Sequence, residues 1–545
     1  MPHARLPSAD ARRWWGLGFI SGAVSLIVVD STIVNVAIPA VVGDLGISST
    51  EVQWVQEVYT LAFASLLLLF GALADRLGRR RMMTAGVALF AVASVAAALA
   101  PSGGLLILAR AVQGIGGALI LPTTLSLLNA TFRGRERGIA FAVWGSTIGG
   151  MAALGPLLGG WLTTSFSWRW AFGINVPLGA IVIAGVLLTI RESREPSTRI
   201  DLVGSALSVV LFGTLVFGLI EGRSYGWLRS RDDISFGSFT WTADLSPIPV
   251  AFAVSAVSLV VLLLWSRHRG RAGRSSLLDL SLFRVGTFAR GNVVALVVSL
   301  GEFGIILSLP LWLQFVLGFD ALRTGLVLLA LAIGSFAASG LAGAFSGRLP
   351  AVVVVRAGIA AEMVGIVGIA FAVGPDAGWG WLLPPLFVYG FGVGLATAQL
   401  TGVVLQDVPV ERSGQASGTQ STARQVGSAL GVAILGTVLF TSTGATLAAS
   451  LDDQGLPAAA RDEVVAAVVD SAGAAIAGFD DAGQTEVADA AAAFSAGTRY
   501  SALTAAGFLA LGLIASAGLG AGRRERDERS DSVGTASPHW DSNPD

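Results

Sequence analysis

The 545-residue chain has no cysteine and no lysine. Without cysteine there is no disulfide framework, no thiol catalysis and no cysteine metal site. All 35 basic residues are arginine, so the phosphate-loop lysine of nucleotide-driven pumps is missing too. This points to a GC-rich bacterial genome and excludes a chain that is itself a conventional ATP-driven pump. Histidine is scarce: His3, His268 and His539 all fall outside the apolar segments. No nucleophile–base pair or metal cluster is visible, so neither an enzyme nor a cofactor is expected. Charge as a whole is low, at 13% of residues.

What is present is apolar. Hydrophobic residues make up 53%, and 69 glycines accompany them, as in membrane helices whose backbones approach closely. A bilayer core takes about 20 apolar residues per helix. Fourteen segments meet this: 14–39, 52–74, 82–100, 104–130, 138–164, 170–190, 201–221, 248–266, 290–317, 324–345, 351–373, 381–405, 418–440 and 500–521. The first is long and lacks a cleavage pattern, so it is read as a span. Arginine clusters mark alternate connectors: Arg76, Arg79, Arg80 and Arg81, then Arg133, Arg135 and Arg137, then Arg191 and Arg194, then Arg267, Arg269 and Arg271. By the positive-inside bias both termini are cytoplasmic, in a multi-pass plasma-membrane protein.

The two halves echo each other. Gly71-Ala-Leu-Ala-Asp75-Arg76-Leu77 returns as Gly343-Ala-Phe-Ser-Gly347-Arg348-Leu349, and Arg137-Gly138-Ile-Ala140 as Arg412-Ser-Gly414-Gln-Ala416. Parallel repeats of this kind relate the halves of transporters. The chain therefore divides into an N-terminal bundle (1–200, spans 1–6), an inserted pair with a cytoplasmic linker (201–285, spans 7 and 8), and a C-terminal bundle (286–521, spans 9–14). The last carries an extracellular insert, 441–499, rich in alanine and acids with room for short amphipathic helices. A polar tail, 522–545, is expected to be disordered.

Four motifs are specific. The connector after span two reads Gly71-Ala-Leu-Ala-Asp75-Arg76-Leu-Gly78-Arg79-Arg80-Arg81. Span one holds Asp30-Ser-Thr-Ile-Val-Asn35-Val-Ala-Ile-Pro39, and span four Arg110-Ala-Val-Gln113-Gly114. Span five holds Gly155-Pro156-Leu-Leu-Gly159-Gly160, with Trp168-Arg169-Trp170 and Asn175 following at span six. Together they resemble the fourteen-helix drug:proton antiporters of the major facilitator superfamily. The resemblance covers spans one to thirteen and has no counterpart in 441–499. It implies an all-α integral membrane protein with the major facilitator fold, two six-helix bundles plus two additional central helices. It implies a monomer exchanging protons for a lipophilic toxic compound or antibiotic by alternating access, with the bilayer and no nucleic acid as partner. Export of an endogenous metabolite, peptide or lipid is the alternative; a non-transporting sensor or scaffold is the alternative of another class.

The residues that would carry this follow from depth and charge. Asp30 lies about 13 Å below the outer surface, and Arg110 roughly 9 Å, close enough in depth to pair. Intramembrane ionisable groups cost about 2.5–3.5 kcal/mol each on insertion scales and mark pathways. Burial and a neighbouring guanidinium act in opposite senses on a carboxylate, which suits a proton site; a permanent ion pair fastening the spans is the competing reading. Glu302, eight residues before Pro310, mirrors Asp30 in the second half and completes the proton-coupling set. Glu57, Glu362, Asn35 and Gln113 are candidates for the substrate cavity. Glu57 stands in a Trp-x-x-acid-x-Tyr setting that resembles family members handling organic cations. Gly71, Asp75, Arg76, Gly78, Arg79 and Arg80 form the expected cytoplasmic gate, although the arginines also serve topology alone. Gly155, Pro156, Gly159 and Gly160 read as a bend with a smooth face that moves against the opposite bundle.

Overall fold

In the computed structural model the described residues are 9–47, 49–194, 201–230, 234–236, 239–274, 276–345, 348–375, 377–409, 412–471, 473–476 and 484–520. The expected tail 522–545 and Gly347 of the second repeat lie outside them, as does the side chain of Asn35.

The first half comprises α1 (Ala9–Leu45), α2 (Ser49–Leu77), α3 (Arg79–Ala98), α4 (Gly103–Thr131), α5 (Gly134–Ser165) and a broken passage, α6 (Arg169–Gly173) with α7 (Asn175–Thr189). The inserted pair is α8 (Leu202–Tyr225) and α9 (Pro247–Arg271). The second half comprises α10 (Gly286–Phe315), α11 (Ala321–Phe345), α12 (Ala351–Ala372), α13 (Leu383–Leu405), α14 (Ser413–Asp453), α15 (Ala458–Asp470) and α16 (Gln484–Ser516). Twelve passages among the described residues are long and apolar enough to cross a membrane. With α5 and α11, which holds the apolar stretch Leu322–Ala338, they make fourteen.

In lipid every backbone group must be satisfied within its own segment, which only helices achieve for such a chain. Hydroxyls inside the spans are returned to the preceding turn: Ser94 donates to the Phe90 carbonyl at 2.8 Å and Thr123 to that of Leu119 at 2.8 Å. The inserted pair is capped at its starts, where Asp201 accepts from the Gly204 amide at 3.0 Å and Ser246 from Ile248 at 3.3 Å.

Packing separates the chain into two groups. In the first, α2 and α3 lie on α4, and α5 and α7 on α1; in the second, α10 and α16 lie on α14, and α11 and α12 on α13. The groups meet through α5 against α11 and α13, and through α2 against α14. Helix α9 packs on α8, and α8 on α2 and the edge of α14. Val257 and Leu264 of α9 are more than half exposed, a surface that suits lipid.

One expectation needs correction. The insert expected over 441–499, with room for short helices, is largely a continuation of its flanking helices: α14 runs 41 residues to Asp453 and α16 starts at Gln484. At 1.5 Å per residue α14 is about 60 Å long, twice the hydrocarbon core, so the two helices project beyond it as a pair. Leu447, Leu451, Ala490 and Phe494 form their buried seam, and α15 closes over Gly444 with Val465 and Val469. Alanine-rich segments with charges on one face are good helix formers, which the hydropathy of the segment hides. The connector between α8 and α9 carries a hairpin, where β1 (Ile234–Phe236) pairs antiparallel with β2 (Phe239–Trp241).

Candidate functional site

The most heavily bonded polar cluster of the first half gathers on Asp30. Arg110 donates through Nη1 to Asp30 Oδ2 and to Gln113 Oε1 (2.9 Å), and through Nε to the Val55 carbonyl (3.2 Å). Gln113 and Asn175 donate to Asp30 Oδ1 at 3.0 and 2.7 Å, and both also reach Ser94 Oγ, at 2.8 and 3.2 Å. The Tyr59 ring covers the guanidinium at 4.3 Å. These residues come from α1, α2, α3, α4 and α7, and Asp30, Ser94, Arg110, Gln113 and Asn175 are all at most 1% exposed. A buried ion pair persists only when its remaining lone pairs are satisfied, and here both carboxylate oxygens are engaged. Ser94 and Asn175 were not singled out from sequence. Asn175 sits in the motif that begins at Trp168, the one signal that points to it.

The second half places Glu302 of α10 in a parallel setting. Its Oε1 accepts from Thr397 at 2.9 Å, its Oε2 lies 3.5 Å from Arg424 Nη2, and its carbonyl accepts from Tyr389 at 2.9 Å. Glu362 of α12 faces this pair, fully buried, with neither carboxyl oxygen hydrogen bonded. Gln113 and Glu362 were expected to line a cavity. In this conformation both are instead buried in helix packing, because Gln113 serves Asp30 and Gly392 lets α13 press against the Glu362 backbone. Glu57 lies on the face of α2 turned to Glu221 of α8.

At the arginine-rich end, Asp75 joins the two halves. Its Oδ1 accepts from Arg79 Nη2 (2.8 Å) and from the Gly414 amide (2.9 Å), and its Oδ2 from the Gln415 amide (3.0 Å). These amides belong to the first turn of α14, where unsatisfied N–H groups and the helix dipole favour an anion. Asn129 adds a bond to Ser413 at 3.1 Å. Gly78 turns at φ +110 against Glu192, whose carboxylate takes the amides of Arg80 and Arg81, both at 3.1 Å, at the start of α3. Arg80 also reaches the Ile190 carbonyl at 3.2 Å, while Arg76 is exposed. Glu192 was absent from the expected gate, since an acid in an arginine-rich connector reads as solvated.

The glycines of span five also differ from expectation. A Cβ on Gly155 would meet Thr32, and one on Gly159 would meet Ile33. Both therefore pack on α1 inside their own bundle, and only Gly160 approaches α11, at Leu322. Close approach within the bundle accounts for two of the three.

The sequence profile of the Major Facilitator Superfamily matches residues 20–432. The chain belongs to the Major Facilitator Superfamily. It is a multi-span membrane transporter and not an enzyme. It is 36% identical to the probable actinorhodin transporter of Streptomyces coelicolor, over 85% of this chain and 78% of that one. It is 33% identical to the multidrug efflux pump LfrA of Mycolicibacterium smegmatis, over 91% and 94%. The human organic anion transporter MFSD10 has a similar fold, with a TM-score of 0.58 at 14% identity over 94% of this chain and 100% of that one.

Proposed function

We propose that this facilitator is a proton-driven antiporter that exports lipophilic toxic compounds or antibiotics across the plasma membrane, with both termini cytoplasmic. The buried Asp30–Arg110 pair carries the reading. It is an acid within a span, held by polar groups of α4 and α7, and able to accept a proton only if that arrangement opens. The efflux relatives support export. One polypeptide supplies both bundles, which supports a monomer. Inverted vesicles with an imposed pH gradient and a chemically varied compound panel test it. Uptake of at least one lipophilic compound should follow the gradient and stop when a protonophore collapses it. Uptake indifferent to the protonophore would overturn proton coupling.

The Asp75 contact is the proposed cytoplasmic latch. Hydrogen bonds to charged groups contribute about 1.5–3 kcal/mol each. Asp75→Asn keeps one acceptor oxygen and turns an amide toward a backbone N–H, so the closed state loses at least one such bond. Transport turnover is expected to fall about tenfold, with equilibrium substrate affinity within about twofold. A large loss of affinity at normal turnover would place Asp75 in binding instead.

A further inference from the structure

The inserted helix α8 is tied to α2 by a pair of acids. Glu221, 2% exposed and one turn before the end of α8, is hydrogen bonded to Glu57. The second carboxyl oxygen of each, Oε2, is buried with no partner. Two ionised carboxylates are acceptors only, so a hydrogen bond between them requires one proton. Around them Trp54 bonds Tyr225, Phe217 lies 6.1 Å from Tyr225, and the Trp227 ring lies against Gly222 while stacking on Phe252 of α9. Glu57 itself is half-buried.

Among the described residues, few charged groups face this turn. Arg110 of α4 is held by Asp30 of α1, and Glu51 lies against Gly103. Helix α9 carries no ionisable residue between Pro247 and Ser266, and α14 none between Arg424, which meets Glu302, and Asp452. The side chain of Arg223 is outside the described residues. The same turn of α2 touches the Asp30 cluster from its other side, through the Val55 carbonyl and the Tyr59 ring on Arg110.

We propose that Glu57 and Glu221 form a second proton-binding site, separate from Asp30, in which one shared proton fastens the inserted helices to the N-terminal bundle. Release is a simple transfer: the carboxyl–carboxylate pair gives one proton to water and leaves two carboxylates. Like charges held side by side between packed helices repel, so α8 moves off α2, and the turn bearing Val55 and Tyr59 is freed at Arg110.

Infrared difference spectra of the full chain in lipid vesicles test the proton directly, without any transport measurement. Raising the pH should remove one carboxylic-acid carbonyl band in the native protein. That band should be missing in both Glu57→Gln and Glu221→Gln, because the amide donates to the remaining carboxylate and no proton is needed. A band that survives in either single variant, or an absence of any titrating band, overturns the shared proton. The attachment is tested with cysteines, which the native chain lacks. A Cβ on Gly213 would lie 3.3 Å from Ser65 Oγ across the α2–α8 contact, so Ser65→Cys with Gly213→Cys reports their closeness. At alkaline pH, cross-linking should be about tenfold lower in the native background than in the Glu57→Gln background at the same pH. Equal yields in the two backgrounds at every pH would show that the proton does not fasten the helix; Glu221→Gln repeats the comparison independently.

Discussion

Asp30→Asn is expected to lower proton-driven efflux by about 100-fold or more while substrate binding changes by no more than about threefold. Asparagine keeps the shape of the side chain and loses the exchangeable proton. The donors around Asp30 sharpen the case. Gln113 and Asn175 point N–H groups at Oδ1 and Arg110 points one at Oδ2, so either orientation of an amide sets donor against donor. The site is built for a carboxylate in this conformation. Proton uptake must therefore accompany a state in which these donors withdraw, and that is the coupling proposed. Breaking a buried pair by removing one partner costs about 3–5 kcal/mol. Thermal stability of the purified variant is measured alongside, with Asp30→Asn plus Arg110→Gln as the variant that leaves no unpaired buried cation. Efflux along an imposed pH gradient in vesicles is the readout, against equilibrium binding in detergent. Should Asp30→Asn keep full proton-driven efflux while Glu302→Gln loses it, coupling resides in the second half of the molecule.

Much of this architecture is written in hydropathy. Apolar runs about 20 residues long mark fourteen passages, and arginine clusters in alternate connectors set the alternation of helices. Depth alone puts Asp30 and Arg110 close enough to pair. The polar neighbours are harder to read, because an uncharged Ser94 or Asn175 in a span is satisfied equally well by its own preceding turn. Element ends are harder still. The alanine-rich stretch after residue 440 has the composition of a solvated loop and the propensity of a helix, and contact between α14 and α16 decides it. Glu221 is the sharpest instance. An acid at the end of an apolar run reads as the membrane edge, so the expected span stopped there. The helix instead runs one more turn to Tyr225, and the acid turns inward to Glu57. Tertiary contact, absent from any single segment, turns that edge residue into a buried one. The glycines of span five show the same limit: their spacing announces close packing but not which neighbour they approach.

Gly71→Ala is expected to reduce transport by about fivefold or more in a protein that still folds. Gly71 of α2 meets the backbone of α14: a Cβ there would lie 2.6 Å from the Gly414 carbonyl oxygen and 2.8 Å from Gly418 Cα. From the other side, a Cβ on Gly414 would meet the Gly71 carbonyl oxygen. Backbone atoms held in two helices cannot swing aside as a flexible side chain would. Overpacking of this kind costs about 1–3 kcal/mol, which shifts a two-state equilibrium by roughly 5- to 150-fold. The contact lies between the bundles, so the cost falls on the closed arrangement of the arginine-rich end, and each bundle keeps its own core. Under the alternating-access reading the variant therefore accumulates with that end open and fails to complete the cycle. Ser413→Cys supplies the reporter, since Ser413 is buried at this contact and the chain offers no other thiol. In inverted vesicles a membrane-impermeant thiol reagent should label it slowly in the otherwise native chain and quickly once Gly71→Ala is added. Normal transport together with a reporter thiol that stays protected would mean that α2 and α14 accommodate the methyl group, and that this contact does not govern the cycle.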